Sequence, residues 1–208
     1  MSKKPKLPRY VTPKGTAQYP YLTKPDTKFN PDGEYKVNLE LNAEDASEIM
    51  SFLDEQLAES IAKAKKENAG KKIKEGDVPY SVDEDSGKVT LRFKLKAKVT
   101  PKNGEPFEQR VAIFDAKGKP ITDEIKIGGG TQMKVSYEVM PYYTSMVGAG
   151  ISLRVRAVQI IELVEFSSAG AGAYGFGSED GYEAEESATN TNNEFKDETN
   201  DNEETEDF

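Results

Sequence analysis

The clearest hydrophobic pattern of the chain lies at residues 88 to 99, which read KVTLRFKLKAKV. Successive side chains of a strand point to opposite faces, so the pattern predicts one apolar face and one basic face. The apolar face carries Val89, Leu91, Phe93, Leu95, Ala97 and Val99. The basic face carries Arg92, Lys94, Lys96 and Lys98. We therefore expect a half-buried antiparallel strand whose outer face is either a solvated lysine surface or a site for anions.

Similar alternation predicts strands elsewhere, with turns rich in Gly, Pro, Asn and Asp between them. These strands are expected at residues 15 to 22, 34 to 41, 107 to 116, 131 to 143 and 150 to 166. Pro20 indicates that the first of them is an edge strand. In the last strand the alternation slips near Ala157 and Val158, as at a β-bulge or where a strand enters an interface. Arg154 and Arg156 lie on the polar side of that strand.

One long helix is predicted between the second and third of these strands. Asn42 is a suitable N-cap, apolar residues then recur every three or four positions, and Gly70 provides a stop. The apolar stripe is expected to cover the sheet. Five or more antiparallel strands with one inserted helix predict a mainly β fold, a small and partly open barrel.

The charge is distributed very unevenly along the 208 residues. The net charge is -9, but residues 178 to 208 hold thirteen acidic residues and one lysine, so the first 177 residues carry a net charge of +3. Such asymmetry indicates a nucleic-acid ligand or a partner-binding tail. We expect a basic flexible arm at residues 1 to 14, a folded domain at residues 15 to 167 and a disordered acidic tail at residues 168 to 208.

Several classes of chemistry are disfavoured by composition. The chain has no Cys and no His, which removes disulfides, zinc-thiolate sites and histidine bases. No apolar run approaches the length of a membrane span, and the basic start lacks the apolar region of a signal peptide. Gly128-Gly129-Gly130 lacks a following Gly-Lys-Ser/Thr and precedes a strand, so it is interpreted as a strand entry rather than a phosphate loop. No cofactor is implied.

Cations on strands together with aromatic residues at strand ends are typical of proteins that hold single-stranded nucleic acid. The aromatic candidates are Tyr142 and Tyr143, accompanied by Tyr19 and Tyr21. No basic recognition helix for a duplex groove is present in the sequence, so single strands are the favoured ligand.

The acidic tail has a physical role if the body is basic. A tethered acidic segment competes with DNA at high effective concentration. Its last residues are suited to capture by a basic-rimmed apolar pocket of a partner protein, although a purely solubilising tail is the alternative. These residues are Glu203, Glu204, Glu206, Asp207 and Phe208.

Short sequence pieces, in order along most of the chain, resemble one known family. They are Gly15-Thr16-Ala17, Lys24-Pro25-Asp26, Tyr35-Lys36-Val37, Glu75-Gly76-Asp77-Val78-Pro79, Lys117-Gly118-Lys119, Gly128-Gly129-Gly130, Pro141-Tyr142, Val147-Gly148-Ala149 and the final Asp207-Phe208. The chain resembles the single-stranded DNA-binding proteins of T7-type podoviruses.

The resemblance implies an OB-fold core with an acidic tail that ends in phenylalanine. It implies a protein that coats single strands in phage replication, recombination and repair, and that promotes annealing. It also implies a homodimer in the host cytoplasm, with a tail that contacts the phage DNA polymerase and helicase-primase. By the same resemblance Tyr142 stacks on DNA, and Lys3 and Lys4 correspond to a basic N-terminus. A tryptophan that the family places after this tyrosine is absent here.

Two other classes of function are weighed against this one. An acidic-tailed protein-interaction module, a decoy or DNA mimic, would not need the basic face of residues 88 to 99. A magnesium-dependent nuclease needs only carboxylates, but the acidic residues concentrate in loops, on the helix and in the tail. We therefore expect a binding protein and not an enzyme.

Overall fold

A computed structural model describes residues 7 to 101, 104 to 122 and 125 to 165. Within these ranges the chain forms one helix and ten strands. They are β1 Tyr10–Val11, β2 Gly15–Asp26, β3 Glu34–Leu41, α1 Ala43–Glu67, β4 Tyr80–Val82, β5 Val89–Lys96, β6 Lys98–Val99, β7 Phe107–Glu108, β8 Ala112–Phe114, β9 Gln132–Thr144 and β10 Gly148–Glu162. The predicted acidic tail from residue 168, with Glu203, Glu204, Glu206, Asp207 and Phe208, and the arm residues Lys3 and Lys4 lie outside the described residues.

Five strands close into a barrel in the order β9, β2, β3, β5, β10 and back to β9. This is the mainly β, OB-fold-like five-stranded barrel with an inserted helix that the sequence predicted. Two pairings depart from the expected antiparallel pattern, because β10 runs parallel to β8 outside the barrel and to β5 within it. β5 and β10 run parallel, with Leu153 opposite Phe93 and Arg154 opposite Lys94, and this short contact closes the ring.

The alternation of each long strand fills the barrel with apolar side chains. Val89, Leu91, Phe93 and Leu95 of β5 are all buried, and their neighbours Arg92, Lys94 and Lys96 are exposed. On β9 the aromatic ring of Tyr137 is buried against that of Phe93. The hydrophobic face predicted for residues 88 to 99 is therefore confirmed up to Ala97, where the strand breaks before β6.

The helix lies against the barrel as predicted. It begins after Asn42, whose backbone is extended but whose side chain makes no capping hydrogen bond. At the other end the side chain of Asn68 donates to the carbonyl of Ala64 at 3.0 Å. Leu53 is fully buried in the core, while Phe52 is half-buried and packs on the ring of Tyr10 of β1.

The structure differs from the sequence prediction at three places. The start of β2 pairs with two strands, because Thr16 lies opposite both Glu40 and Gln132, so the edge-strand prediction is wrong at that end. The predicted strand at residues 107 to 116 is split into β7 and β8. Part of the predicted arm forms β1, which pairs with β9 through Tyr10 and Val11. The next residue, Thr12, is buried and exchanges hydrogen bonds of 3.0 Å with the backbone of Val135.

The bulge predicted in the last strand is confirmed. The pairing of β10 with β9 shifts between Val155 and Ala157, which lets Val155 and Val158 both point into the core. Among the described residues, no helix is sufficiently long and apolar to traverse a lipid bilayer.

Candidate nucleic-acid interface

The outer surfaces of β3, β5 and β10 meet in a row of cations that crosses the barrel. Lys36 lies opposite Lys94 on β5, and Lys94 lies opposite Arg154 on β10. On the other side of the row Lys36 lies opposite Tyr21 of β2, and its Nζ sits 4.9 Å from the centre of the Tyr21 ring. From here on, the basic face means the surface formed by Lys36, Arg92, Lys94 and Arg154, which differs from the face predicted for residues 88 to 99 alone. Its charges come from three strands that only the folded barrel brings together.

Arg92 and Lys94 are held differently on this face. The guanidinium of Arg92 donates hydrogen bonds to the carbonyls of Val78 at 3.1 Å and Tyr80 at 3.3 Å, so its direction is fixed while it stays exposed. The Nζ of Lys94 lies 3.8 Å from a carboxylate oxygen of Glu34, and the side chain is largely exposed. The carbonyls leave the charge of Arg92 uncompensated, whereas Lys94 shares its charge with one partly exposed carboxylate that a phosphate can replace.

The ring of Tyr142 lies on glycine backbone at one end of the basic face. Gly150 is directly opposite Tyr142 in the β9–β10 pairing, and a Cβ added at Gly150 would stand 2.6 Å from the Cζ of that ring. A Cβ at Gly76 would meet the hydroxyl of Tyr142 at 2.9 Å. Only glycine fits beneath the ring, so the two glycines position Tyr142.

A groove of about 620 Å³ connects Tyr142 with the basic face. Tyr142, Arg92 and Lys94 all line it, together with Lys74 and Ser152. The wall that carries Lys74 is fixed to β10, because the amide of Gly76 donates to the carbonyl of Ala149 at 2.7 Å. The structure therefore brings three residues predicted from sequence into one groove, with Arg154 beside Lys94.

Arg154 and Arg156 converge on one carboxylate. Glu138 of β9 has a side chain only 10% exposed, and its oxygens lie 3.6 Å from Nη1 of Arg154 and 3.5 Å from Nε of Arg156. Arg9, from the segment before β1, places its Nε 3.5 Å from the same carboxylate. Three guanidinium groups around one carboxylate leave a net charge of about +2 in this cluster. We call these four residues the Glu138 cluster.

The remaining predicted site residues are not brought into the groove. Lys96 is exposed on β5, and Lys98 lies beyond the break, where β6 pairs it with Glu108 of β7. Tyr143 is partly exposed and lines a small cavity with Ser60 and Lys63 of the helix. Lys3 and Lys4 lie outside the described residues.

The sequence reasoning missed three features of the site. Lys36 lay in an alternating strand whose other polar residues include two acidic ones, and only the strand register shows that it extends the row. Lys74 belongs to a loop, and its position depends on pairing with β10. Glu138 alternates with apolar residues along the predicted strand, yet its side chain is buried next to three arginines. No sequence signal singled it out.

Two pKa shifts follow from this geometry. Lys36 forms a short ion pair with Asp26, and hydrogen bonding by Lys36 and by the Lys28 amide lowers the pKa of Asp26 below its usual value. Burial, with a smaller effect of Tyr10, raises the pKa of Tyr137 to about 12. In the described part of the chain, no group of three or more acidic side chains is arranged to hold a metal ion.

Comparison with known proteins gives concordant matches. The family described as "Single-stranded DNA-binding protein, Bacteriophage T7" matches residues 14 to 163. The single-stranded DNA-binding protein of Enterobacteria phage T3 is 34% identical over 201 residues, which is 86% of this chain and 86% of that protein. That of Escherichia phage T7 is 33% identical over 174 residues, covering 73% and 75% of the two chains.

Solved structures agree with these sequence matches. The crystal structure of the bacteriophage T7 single-stranded DNA-binding protein superposes with a TM-score of 0.70 and 31% identity, covering 86% of this chain and all of that one. The single-stranded DNA-binding protein of bacteriophage Enc34, in complex with single-stranded DNA, shares the fold with a TM-score of 0.52 and 18% identity, over 76% of this chain and 88% of that one.

Proposed function

The chain belongs to the family of the bacteriophage T7 single-stranded DNA-binding protein, and we propose that it binds single-stranded DNA along the basic face and the Tyr142 groove. The observation that carries this proposal is the convergence of Arg92, Lys94 and Tyr142 on one groove, with Arg154 beside Lys94. Cations placed next to a preoriented aromatic ring suit a flexible strand, since phosphates pair with the cations and an unpaired base stacks on the ring.

The residues divide between two roles. The row of Lys36, Lys94 and Arg154 follows the phosphates and provides affinity without sequence preference. Tyr142 supplies a stacking surface that accepts any base, at about 1–3 kcal/mol for each stacked base. Because glycine backbone supports its ring from below, little side-chain entropy is lost on binding. Such a site binds and releases DNA without covalent chemistry, and we propose that the protein is not an enzyme.

The further functions expected from sequence form part of the same proposal. The protein coats single strands in phage replication, recombination and repair, and promotes annealing in the host cytoplasm. It acts as a homodimer, and its acidic tail, with Phe208 at the end, recruits the phage DNA polymerase and helicase-primase. A tail with a net charge of -12 beside a body of +3 supports this view, because the tail can compete with DNA for the basic face.

The test is a salt-dependent titration of a fluorescent single-stranded oligonucleotide. We expect affinity to fall as salt rises, with a slope of about -2 to -3 in log units if three or four phosphates are neutralised. A chain that ends at Ser178 should bind more tightly. Failure of both chains to bind would contradict the proposal and favour a protein-interaction module, and weaker binding by the shortened chain would contradict competition by the tail.

Tyr142→Ala tests the groove itself. Removing the ring should weaken binding about 5- to 150-fold while leaving the salt slope unchanged, since no cation is lost. Phe107→Ala is the matched control, because Phe107 is an exposed aromatic residue on β7 and does not line the groove. Equal affinities of Tyr142→Ala and the unaltered protein would remove Tyr142 from the site.

A further inference from the structure

A strained bulge in β2 presents an exposed aromatic ring far from Tyr142. The pairing of β2 with β3 shifts between Gln18 and Tyr21, and Tyr19 between them has a φ of +49°, in the left-handed region. A bulky residue rarely adopts this conformation, which costs about 1–3 kcal/mol. Burial does not offset that cost, because Tyr19 is 75% exposed. Bulges redirect side chains, and strain of this kind concentrates at functional sites.

The ring faces a groove of about 650 Å³ between β2 and residues 126 to 130. Tyr19 and Tyr21 line one side, and Gly128, Gly129 and Gly130 line the other. The glycine wall is fixed, since the amide of Gly130 donates to the carbonyl of Ala17 at 2.9 Å and that of Gly128 to the carbonyl of Val164 at 2.7 Å. An aromatic ring opposite a wall without side chains leaves space for a flat ligand.

The groove continues the basic face. Tyr21 is in contact with Lys36, which begins the row that leads through Lys94 to Arg154. Neighbouring strands are about 4.8 Å apart, so the path over the outer surface from β2 across β3 and β5 to β10 is three spacings, about 14 Å long. A strand of the roughly 4–16 nucleotides that one OB fold engages can span this distance.

We propose that the groove at Tyr19 is a second base-stacking site, which holds one unpaired nucleobase of a strand already bound to the basic face. The base stacks on the ring of Tyr19, and the edge of the base lies against Gly128, Gly129 and Gly130, which have no side chains to block it. Lys126 lines the groove, and Lys36, which is paired with Asp26, contacts the ring of Tyr21 at its edge. These two lysines are therefore the cations that would face the phosphates next to the base. This inference rests on the proposed function, because the strand reaches the groove only across the basic face.

The test compares oligothymidylates of two lengths. A short one, about 4 nucleotides, covers only the Tyr142 groove, and a long one, about 16 nucleotides, reaches Tyr19. Tyr19→Ala should lower affinity for the long oligonucleotide about 5- to 150-fold and leave affinity for the short one unchanged. Tyr19→Phe keeps the stacking surface and should bind both oligonucleotides like the unaltered protein.

Gly129→Leu tests the groove without changing Tyr19. A Cβ at Gly129 would approach only the carbonyl of Ala17, at 4.0 Å, so the larger side chain fills the groove and not the protein interior. It should reproduce the length-dependent loss. Unchanged affinity of both variants for the long oligonucleotide would overturn the inference while leaving the proposed function intact. If the unaltered protein binds neither the short nor the long oligonucleotide, both the proposed function and this inference are overturned.

Discussion

Glu138→Gln is the most informative single change in the body of the protein. The substitution preserves the shape of the side chain and removes the charge that faces Arg9, Arg154 and Arg156 at 3.5–3.6 Å. Three guanidinium groups then repel each other around a neutral amide. The variant therefore tests whether one carboxylate assembles arginines from the N-terminal segment and β10 into a single cluster.

The expected loss in the free energy of unfolding follows from the burial of Glu138 and of the three arginine side chains. Removing one partner of a fully buried ion pair costs about 3–5 kcal/mol, whereas exposed pairs contribute about 0–1 kcal/mol each. Glu138 is almost fully covered, but the arginine side chains are 31% to 61% exposed, so solvent screens much of the interaction. We expect the free energy of unfolding to fall by about 2 kcal/mol, which lowers Tm by roughly 4–8 °C in a body of this size.

The assay is urea unfolding at low and high salt. At 1 M salt the Debye length is about 3 Å, so screening should reduce the repulsion between the arginines. The difference in the free energy of unfolding between the variant and the unaltered protein should therefore be smaller at high salt. Because phosphates can replace the lost carboxylate, a saturating oligonucleotide should raise the Tm of the variant more than that of the unaltered protein.

The control is Glu162→Gln, which removes the same charge from an exposed pair with Lys14. It should change the free energy of unfolding by less than about 0.5 kcal/mol. A loss below that value for Glu138→Gln, or a loss that is equal at both salt concentrations, would refute the view that Glu138 holds the cluster together.

Two further predictions concern Tyr142 and Tyr137. Gly150→Ala should displace the Tyr142 ring and weaken single-strand binding about tenfold. Combining it with Tyr142→Ala should cause no additional loss of affinity. Additive losses in a titration of the double variant would show that Gly150 does not act through that ring. Tyr137 has its pKa raised in the folded state, so its neutral form stabilises the fold fully below pH 10, and this contribution is lost as the pH rises towards about 12. Tyr137→Phe should flatten that alkaline decline in urea titrations, and an unchanged decline would assign it to other groups.

The sequence predicted the interior of the protein better than its surface pairings. Apolar alternation in residues 88 to 99 and 131 to 143 identifies buried faces, because a strand exposes one side to the core and the other to water. The slip at Ala157 identified a bulge for the same reason. Periodicity carries no information on which strands are neighbours, and the parallel contact of Phe93 with Leu153 was therefore not predicted.

Individual residues of the site were predictable from the sequence, but their arrangement in space was not. Arg92, Lys94 and Tyr142 were identified from charge and ring type, yet their common groove depends on register and on Gly150 opposite Tyr142. Lys98 was grouped with Lys94 by alternation, but the break at Ala97 moves it to a separate hairpin. Glu138 occupies a polar position of the alternating strand like Lys134 and Ser136, and its burial depends on arginines from the N-terminal segment and β10. Features that depend on two or three distant segments were missed.

The pairing of β10 has a consequence for the order of folding. This strand is the last of the described strands in the chain, and it pairs with β9, β5 and β8. Before it is synthesised, β5 and β9 have open edges, and the contact that closes the ring joins residues about sixty positions apart. Formation of the barrel must therefore follow synthesis of β10, on the millisecond-to-second scale typical of non-local β pairing. Chains cut before Gly148, where β10 begins, should expose strand edges and aggregate, whereas cuts beyond the described body should leave folding intact.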